Sequence, residues 1–344
     1  MKKIVLSLLG VLVVSISVFM AYAFSRLDYS DLHENHTLTN LEEVESGELS
    51  VQWLGNTNVV VSDGKHSIMT DGWFTRTRLN PINPVVQSDI KTIQWALEKS
   101  KINNLVAVLP IHSHFDHVMD APAVAEATGA IMMGSESSAN VARGWGLDED
   151  QIFEVGQRGT LTLGDFKITM IRTNHYEFVK RFEPPGPQTI AQPLVQPAKV
   201  NAYREGGAYA VWIEHPQGNV LINGSAGFVP GALDDVEADL VFLGVAGVGV
   251  QSPEYQQQYW QEVVATTRAN IVVPVHWDSM IYPLSDKPQP PTRLMDELLL
   301  YVKMKESVYW LLEKEEVYTP ILPMWKKVAY RQLVAGAEKE LARN

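Results

Sequence analysis

Leu105-Val106-Ala107-Val108-Leu109-Pro110-Ile111-His112-Ser113-His114-Phe115-Asp116-His117 is the stretch on which the reading of this chain turns. Leu105 to Pro110 is an apolar run of the length and make-up of a buried strand. His112, His114, Asp116 and His117 follow at its exit. With nine histidines in 344 residues, three within six positions is rarely an accident. Imidazole and carboxylate at this density suit Zn²⁺, with Fe and Mn as alternatives. One tetrahedral ion does not easily take four ligands from so short a segment, whereas two neighbouring ions share them. His112 and His114 are two apart on extended chain, so their side chains lie on one side. Asp116 and His117 come where the chain turns over and face a neighbouring position.

The rest of the composition bounds what such a centre serves. Hydrophobic residues make up 46% of the chain and charged residues 20%, as in a globular protein. The length suits one large domain or two small ones. A net charge of −12 argues against a nucleic-acid partner, whose binding rests on Lys and Arg neutralising phosphates. There is no cysteine, hence no disulfide and no lipid-modified N-terminal Cys.

The N-terminus differs in kind. Lys2 and Lys3 precede an apolar run from Ile4 to about Phe24. That is close to the ~20 residues needed to cross a bilayer. Ala21-Tyr22-Ala23 also fits a small-residue signal cleavage site. Residues 1–24 are therefore expected to be a cleaved signal peptide or a retained membrane anchor, associating with the membrane through residues 4–24. Either puts the remainder outside the cytoplasm, in the periplasm or its extracytoplasmic equivalent, because the lysines stay inside. Residues 25–47 are polar and read as a tether or edge segment; their His33 and His36 are taken as surface residues.

From residue 48 the chain alternates strand and helix signals to residue 344, which we read as one domain of layered α/β type. Leu49–Leu54, Val59–Ser62 and Ser67–Thr70 are expected strands, the last two joined at Asp63-Gly64. Ser88–Ser100 is an amphipathic helix with Ser88 as its cap. Helices are expected after Asp120, over Ser135–Arg143, from Ser252-Pro253 to about Thr267, and from Thr292 to Lys305. Further strands are Ala130–Met133, the hairpin Thr160–Leu163 with Phe166–Thr173, Ala208–Glu214 with Asn219–Ile222, Asp239–Val245 and Ile271–Val275. Two more histidines stand at strand exits, His175 and His276. His66 and His215, at turns, are expected to be exposed. Glu183–Lys199 holds five prolines and no periodicity, and is read as a rim or lid.

The run His112-Ser113-His114-Phe115-Asp116-His117 resembles the H-x-H-x-D-H signature of the metallo-β-lactamase superfamily. Trp53-Leu54-Gly55-Asn56-Thr57, followed by Asp71, is similar to the opening of the branch that includes ascorbate-6-phosphate lactonase and N-acyl-phosphatidylethanolamine phospholipase D. The usual Gly-His is Gly55-Asn56 here. The resemblance covers about Leu49 to Asp278. It implies an αββα sandwich, two mixed β-sheets flanked by helices. It implies that His112, His114 and His175 hold a first metal, and Asp116, His117 and His276 a second. Asp71 would orient the site from behind the ligands. Tyr176 and Trp277, next to two ligands, are expected at the substrate rim. The position of the usual bridging Asp is Ser225, which leaves the two cations less compensated and weakens the second; one Zn²⁺ or two stays open.

The function implied is an exported, zinc-dependent hydrolase that turns a metal-bound hydroxide on a phosphodiester, ester or lactone, a small-molecule or lipid-like substrate. Asp116 would orient that hydroxide and hand a proton to the leaving group. No G-x-S-x-G elbow competes with this chemistry. Two alternatives stand. One is a β-lactamase proper, against which His175 is followed by Tyr-Glu-Phe. The other is a catalytically impaired metal-binding or scaffold protein, because Ser225 replaces the bridge.

Overall fold

The computed structural model describes residues 2–25, 36–76, 84–176, 186, 188–280, 283–284 and 304–343. Two mixed sheets pack face to face. The first has seven strands: β1 (Ser50–Trp53), β2 (Val59–Ser62), β3 (Ser67–Thr70), β5 (Leu105–Leu109), β6 (Ile131–Gly134), β7 (Ile152–Glu154) and β15 (Lys327–Ala329), in the order β15-β1-β2-β3-β5-β6-β7. The second has six, ordered β14-β13-β12-β11-β9-β8: β8 (Arg158–Leu163), β9 (Phe166–Thr173), β11 (Ala208–Glu214), β12 (Val220–Asn223), β13 (Leu240–Gly244) and β14 (Ile271–Val275). A short pair, β4 (Val85–Val86) with β10 (Ala198–Lys199), stands apart. In each sheet one half is antiparallel and one half parallel.

Strand alternation builds two cores. Val59, Val61, Ile68, Ala107 and Leu109 face the second sheet, whose Ile168, Met170, Val211, Ile222 and Phe242 meet them. Val60, Met69, Val108 and Met132 face the other way. They are covered by α2 (Ile90–Ser100), α3 (Ala121–Thr128) and α4 (Glu136–Trp145) through Ile93, Ala96, Val124, Val141 and Ala142. Behind the second sheet lie α5 (Pro253–Trp260), which runs on as a wider turn over Gln261–Ala265, then α6 (Met304–Leu312) and α7 (Tyr330–Leu341). The expected layering, helices on both sides of two mixed sheets, is the observed one.

The differences are local. Asp89, not Ser88, caps α2, accepting from Lys91 N at 3.1 Å. Asp120 precedes α3 but spends its carboxylate on Phe74 N and Thr75 N, 2.8 and 2.6 Å. Most of the helix expected over Thr292–Lys305 lies outside the described residues; α6 begins at Met304. The mixed tail contains β15, which pairs with β1 and closes the first sheet. His215 is buried, not exposed, and His66 is half-buried. His33 lies outside the described residues; His36 is exposed. Within 36–47 the chain follows the domain edge: Leu38 N reaches Ile321 O at 2.9 Å, and Glu42 pairs with Arg331.

The apolar N-terminal run forms α1 (Lys2–Ser25), 24 residues of helix. Its side chains are described at Ser7 and from Leu9 to Phe19, and all of these are exposed. Among residues described to that level, no helix is long and apolar enough to cross a membrane.

Candidate metal centre

The centre lies at one end of the sandwich, where strands of both sheets run out. β5 delivers His112 and His114, and the helical turn Phe115–Val118 delivers Asp116 and His117. β9 delivers His175, and β14 delivers His276. All six proposed ligands converge in two groups. His112, His114 and His175 each place a ring nitrogen within 4.8 Å of the others, and Asp116, His117 and His276 do the same. The groups touch, with the His112 and His117 rings 3.8 Å apart between centroids.

The spacing tests whether a metal fits. Four ligands at 2.0–2.1 Å around a tetrahedral Zn²⁺ lie about 3.3 Å from one another. His117 Nε2 and His276 Nε2 are 3.2 Å apart, and each is 3.5 Å from Asp116 Oδ2. His112 Nε2 and His114 Nδ1 are 2.9 Å apart. Ring nitrogens aimed at one another this way suit a shared cation better than each other. The residues fit one zinc-class ion per group.

One ring in each group is held from behind. Asp71 Oδ2 takes His117 Nδ1 at 2.8 Å, which fixes the proton there and leaves Nε2 free to coordinate. Asp71 Oδ2 also accepts from the Thr57 hydroxyl, and its Oδ1 accepts from Ile111 N at 2.8 Å, tying it to the root of the motif. Ser225 Oγ lies 2.9 Å from His112 Nδ1. The residue at the bridging position therefore stands behind the first group's ring rather than between the two groups. Ser113 is anchored to Arg204 O and Glu205 O through its hydroxyl and N–H, at 2.6 and 3.0 Å.

Sequence reasoning passed over Asn56 as a working residue. Its Nδ2 donates to Asp116 O at 2.6 Å, its N–H donates to Asp278 Oδ1 at 2.7 Å, and its carbonyl accepts from His276 N at 3.0 Å. One residue, through its side chain and its carbonyl, thus touches two candidate ligands of the second group. Asp278 is balanced by buried Arg76, whose Nη1 lies 2.7 Å from Asp278 Oδ2. Asn56, Asp71 and His276 all have φ between 48° and 59°, a conformation that costs a residue with a Cβ and clusters at working sites. The visible signal was the departure Gly55-Asn56 itself: Asn tolerates the left-handed region better than most residues.

Burial sets the electrostatics. It pushes the His112 and His175 imidazoles well below their ordinary value and His114 down to about 4, so these rings are neutral near pH 7. Burial also acts against the charge on Asp116, but the neighbouring His117 and His276 outweigh it and hold this carboxyl well below the usual range. His117 moves the other way: burial lowers it, yet Asp71 and Asp116 raise it further.

Two expectations at the rim are corrected. Trp277 is 2% exposed, stacked on Trp53 at 5.3 Å with its Nε1 donating to Pro274 O, so it packs the core. Tyr176 is buried, its ring lying on His175 at 4.7 Å and against Gly247. Both follow strand ends whose next side chain turns inward. In Glu183–Lys199, the described part is pinned rather than free: Ile190 N donates to Ser137 Oγ, Leu194 N to Asn140 O, and Ala198–Lys199 pairs with β4.

No protein-family model matches the chain. A UPF0173 metal-dependent hydrolase of Pyrobaculum islandicum is 30% identical over 129 residues, 37% of this chain and 51% of that protein. One from Pyrobaculum aerophilum is 26% identical over 234 residues, 67% of this chain and 85% of that protein. The chain spans about half the length of the first relatives it matches. Among solved structures, a metallo-β-lactamase fold protein from Bacillus subtilis is similar with a TM-score of 0.42 and 13% identity, covering 83% of this chain and 98% of that one.

Proposed function

We propose that this chain is a metal-dependent hydrolase that acts, outside the cytoplasm, on an anionic phosphodiester, ester or lactone. One observation carries the reading: six side chains from three strand exits meet as two three-ligand groups at metal-ligand spacing, with the His117 and His112 rings pre-set from behind. The relatives' printed name, metal-dependent hydrolase, is consistent with it. The stretch from Trp53 to Asp71 keeps the lactonase and phospholipase branch as the reading of substrate class. The apolar α1 keeps export, or retention at the membrane, as the reading of location.

Zinc-class ions bound here would supply Lewis acidity and bring the pKa of a coordinated water from about 15.7 to ~7. The residues supply the rest. Asp116 stays ionised and stands beside both second-group imidazoles, placed to hold a proton and pass it to a leaving group. Asp71 and Thr57 keep His117 in one tautomer. Ser225 offers a neutral hydroxyl in place of a bridging carboxylate, so the centre stays more positive than a bridged one and favours an anionic substrate.

The scaffold alternative is opposed by the intact ligand set and by the strain held at Asn56, Asp71 and His276. The decisive experiment uses purified full chain, stripped with chelator and reloaded with Zn²⁺, Fe²⁺ or Mn²⁺. It is run against a generic phosphodiester, a lactone and a β-lactam. Metal-restored turnover of the first or second class is the expected result. Turnover of the β-lactam alone would make it a β-lactamase. Fewer than half a metal per chain after reloading would remove the proposal.

A further inference from the structure

At the other end of the sandwich, three turns from two sheets bring Asp63, Asp165 and His215 together. Asp63 follows β2, Asp165 lies between β8 and β9, and His215 follows β11. The eight residues of β9 separate Asp165 from His175, roughly 26 Å of extended chain, so this cluster is independent of the centre described above. One coordinating atom of each residue lies within 4.8 Å of the other two.

Two of the three are buried, each with one coordinating atom left unpartnered. Asp63 is 2% exposed and His215 is 9% exposed. Asp63 Oδ2 and His215 Nε2 have no hydrogen-bond partner among the described residues, and they face each other at 3.9 Å. That is too long for a direct hydrogen bond and leaves room for an ion between them. Asp63 cannot swing out to water, because its Oδ1 accepts from Lys65 N and His66 N at 2.8 and 2.7 Å. The Phe166 ring lies against His215, 4.7 Å between centroids, and holds it in place. Asp165 stays open to solvent, with Lys65 Nζ 3.8 Å from its Oδ2.

The geometry points to a second, structural site for a divalent cation of the zinc class, held by Asp63, Asp165 and His215, that ties the two sheets together at the end opposite the His–Asp centre. One imidazole and two carboxylates form a borderline donor set that suits zinc, with water completing the shell on the open side. Asp63 comes from the first sheet and the other two residues from the second, so an ion here cross-links the sandwich in a chain that has no cysteine for a disulfide. Burial lowers the His215 imidazole below its ordinary value, so no proton has to be displaced near pH 7. Coordination through Nε2 does place the ring proton on Nδ1, which now accepts from Gln217 N at 3.2 Å; the 215–218 turn gives up that long contact on binding. Lys65 is the rival cation, and a long, exposed one.

The test counts zinc. The full chain is loaded with Zn²⁺, freed of loose metal, and compared with Asp63→Asn, Asp165→Ala and Lys65→Ala. Asn at 63 keeps the oxygen that closes the turn, and Asp165 is exposed, so both variants retain the fold. Wild type is expected to carry one equivalent more than Asp63→Asn or Asp165→Ala, with zinc affinity at this site at least tenfold weaker in each. Lys65→Ala is expected to bind zinc severalfold tighter. Hydrolysis at the distant centre stays unchanged in all three, so loss of this site and loss of the hydrolase reading are told apart. Equal zinc content in wild type and both Asp variants would overturn the inference.

Discussion

At the scale of single residues, the six candidate ligands are backed by residues whose removal can be tested one at a time. Asp71 fixes the tautomer of His117 and binds Ile111 N at the same time. Replacing it by Asn keeps the shape but offers an amide where a carboxylate held the ring proton. We expect Asp71→Asn to lower metal affinity 10–100-fold, the usual cost of losing such a partner, with near-normal unfolding of the metal-free chain. Isothermal titration with Zn²⁺ measures it; unchanged affinity would mean that Thr57 alone orients the ring. Ser225→Ala tests the other group. It removes the contact to His112 Nδ1, so one class of metal should weaken about tenfold while the other keeps its affinity. A uniform loss of both would place Ser225 between the ions after all. The ligands themselves were legible because four of them sit in one short run and two more end apolar strands. Asn56, Thr57 and Asp278 were not, since their partners lie up to 222 residues away and no local pattern announces them.

At the scale of elements, the strands that lead to candidate ligands, β5, β9 and β14, were readable from alternation and from β-branched runs, and with β2 and β3 they stand within a residue of where the sequence puts them. What escaped were β4, β7, β10 and β15, two or three residues each. Such strands exist only because a partner is present, and no period can be read from so few positions. The loops between well-read strands carry their own constraint. A Cβ at Gly227 would sit 1.9 Å from Asn174 O and 2.8 Å from His175 C. Gly227→Ala must therefore push the Ser225–Gly227 loop off the segment that presents His175. Overpacking of this kind costs about 1–3 kcal/mol. The expected result is a lower denaturant midpoint and loss of first-group metal, while Gly156→Ala, with open space around its Cβ, leaves metal content unchanged. For α1, the apolar 24-residue helix, the proposal of export or membrane retention is open to a direct test. Membrane flotation and N-terminal sequencing of the expressed protein separate an anchored full chain from a shortened, released one. Full-length protein free in the cytoplasm would remove export from the reading.

For the molecule as a whole, gathering imidazoles in a dry pocket makes stability depend on pH in a direction that can be worked out. The unfolded chain titrates its histidines near 6.5. In the folded, metal-free chain, burial keeps His112, His114 and His175 below that, with His114 at about 4. Above pH 6.5 these rings are neutral in both states and the full stability is present. As pH falls toward 4, the unfolded chain takes up protons that the folded chain refuses, so stability is lost. His117 opposes this: its raised value gives stability that is present below 6.5 and is lost as pH rises through the folded value. Three lowered groups against one raised group leave a net loss on acidification. His114 alone accounts for about 2 kcal/mol by pH 5. Asp116, held low, adds its own loss only below the ordinary carboxylate range. Chelated protein unfolded in urea at pH 7.5 and at pH 5 should show a lower midpoint at pH 5. Metal-loaded protein should show a steeper fall, because bound ions stabilise the fold and protons compete for the same ring nitrogens. A midpoint that is flat or rises between pH 7.5 and 5 would mean that the imidazoles are open to water, and that the pocket does not hold them ready for a cation.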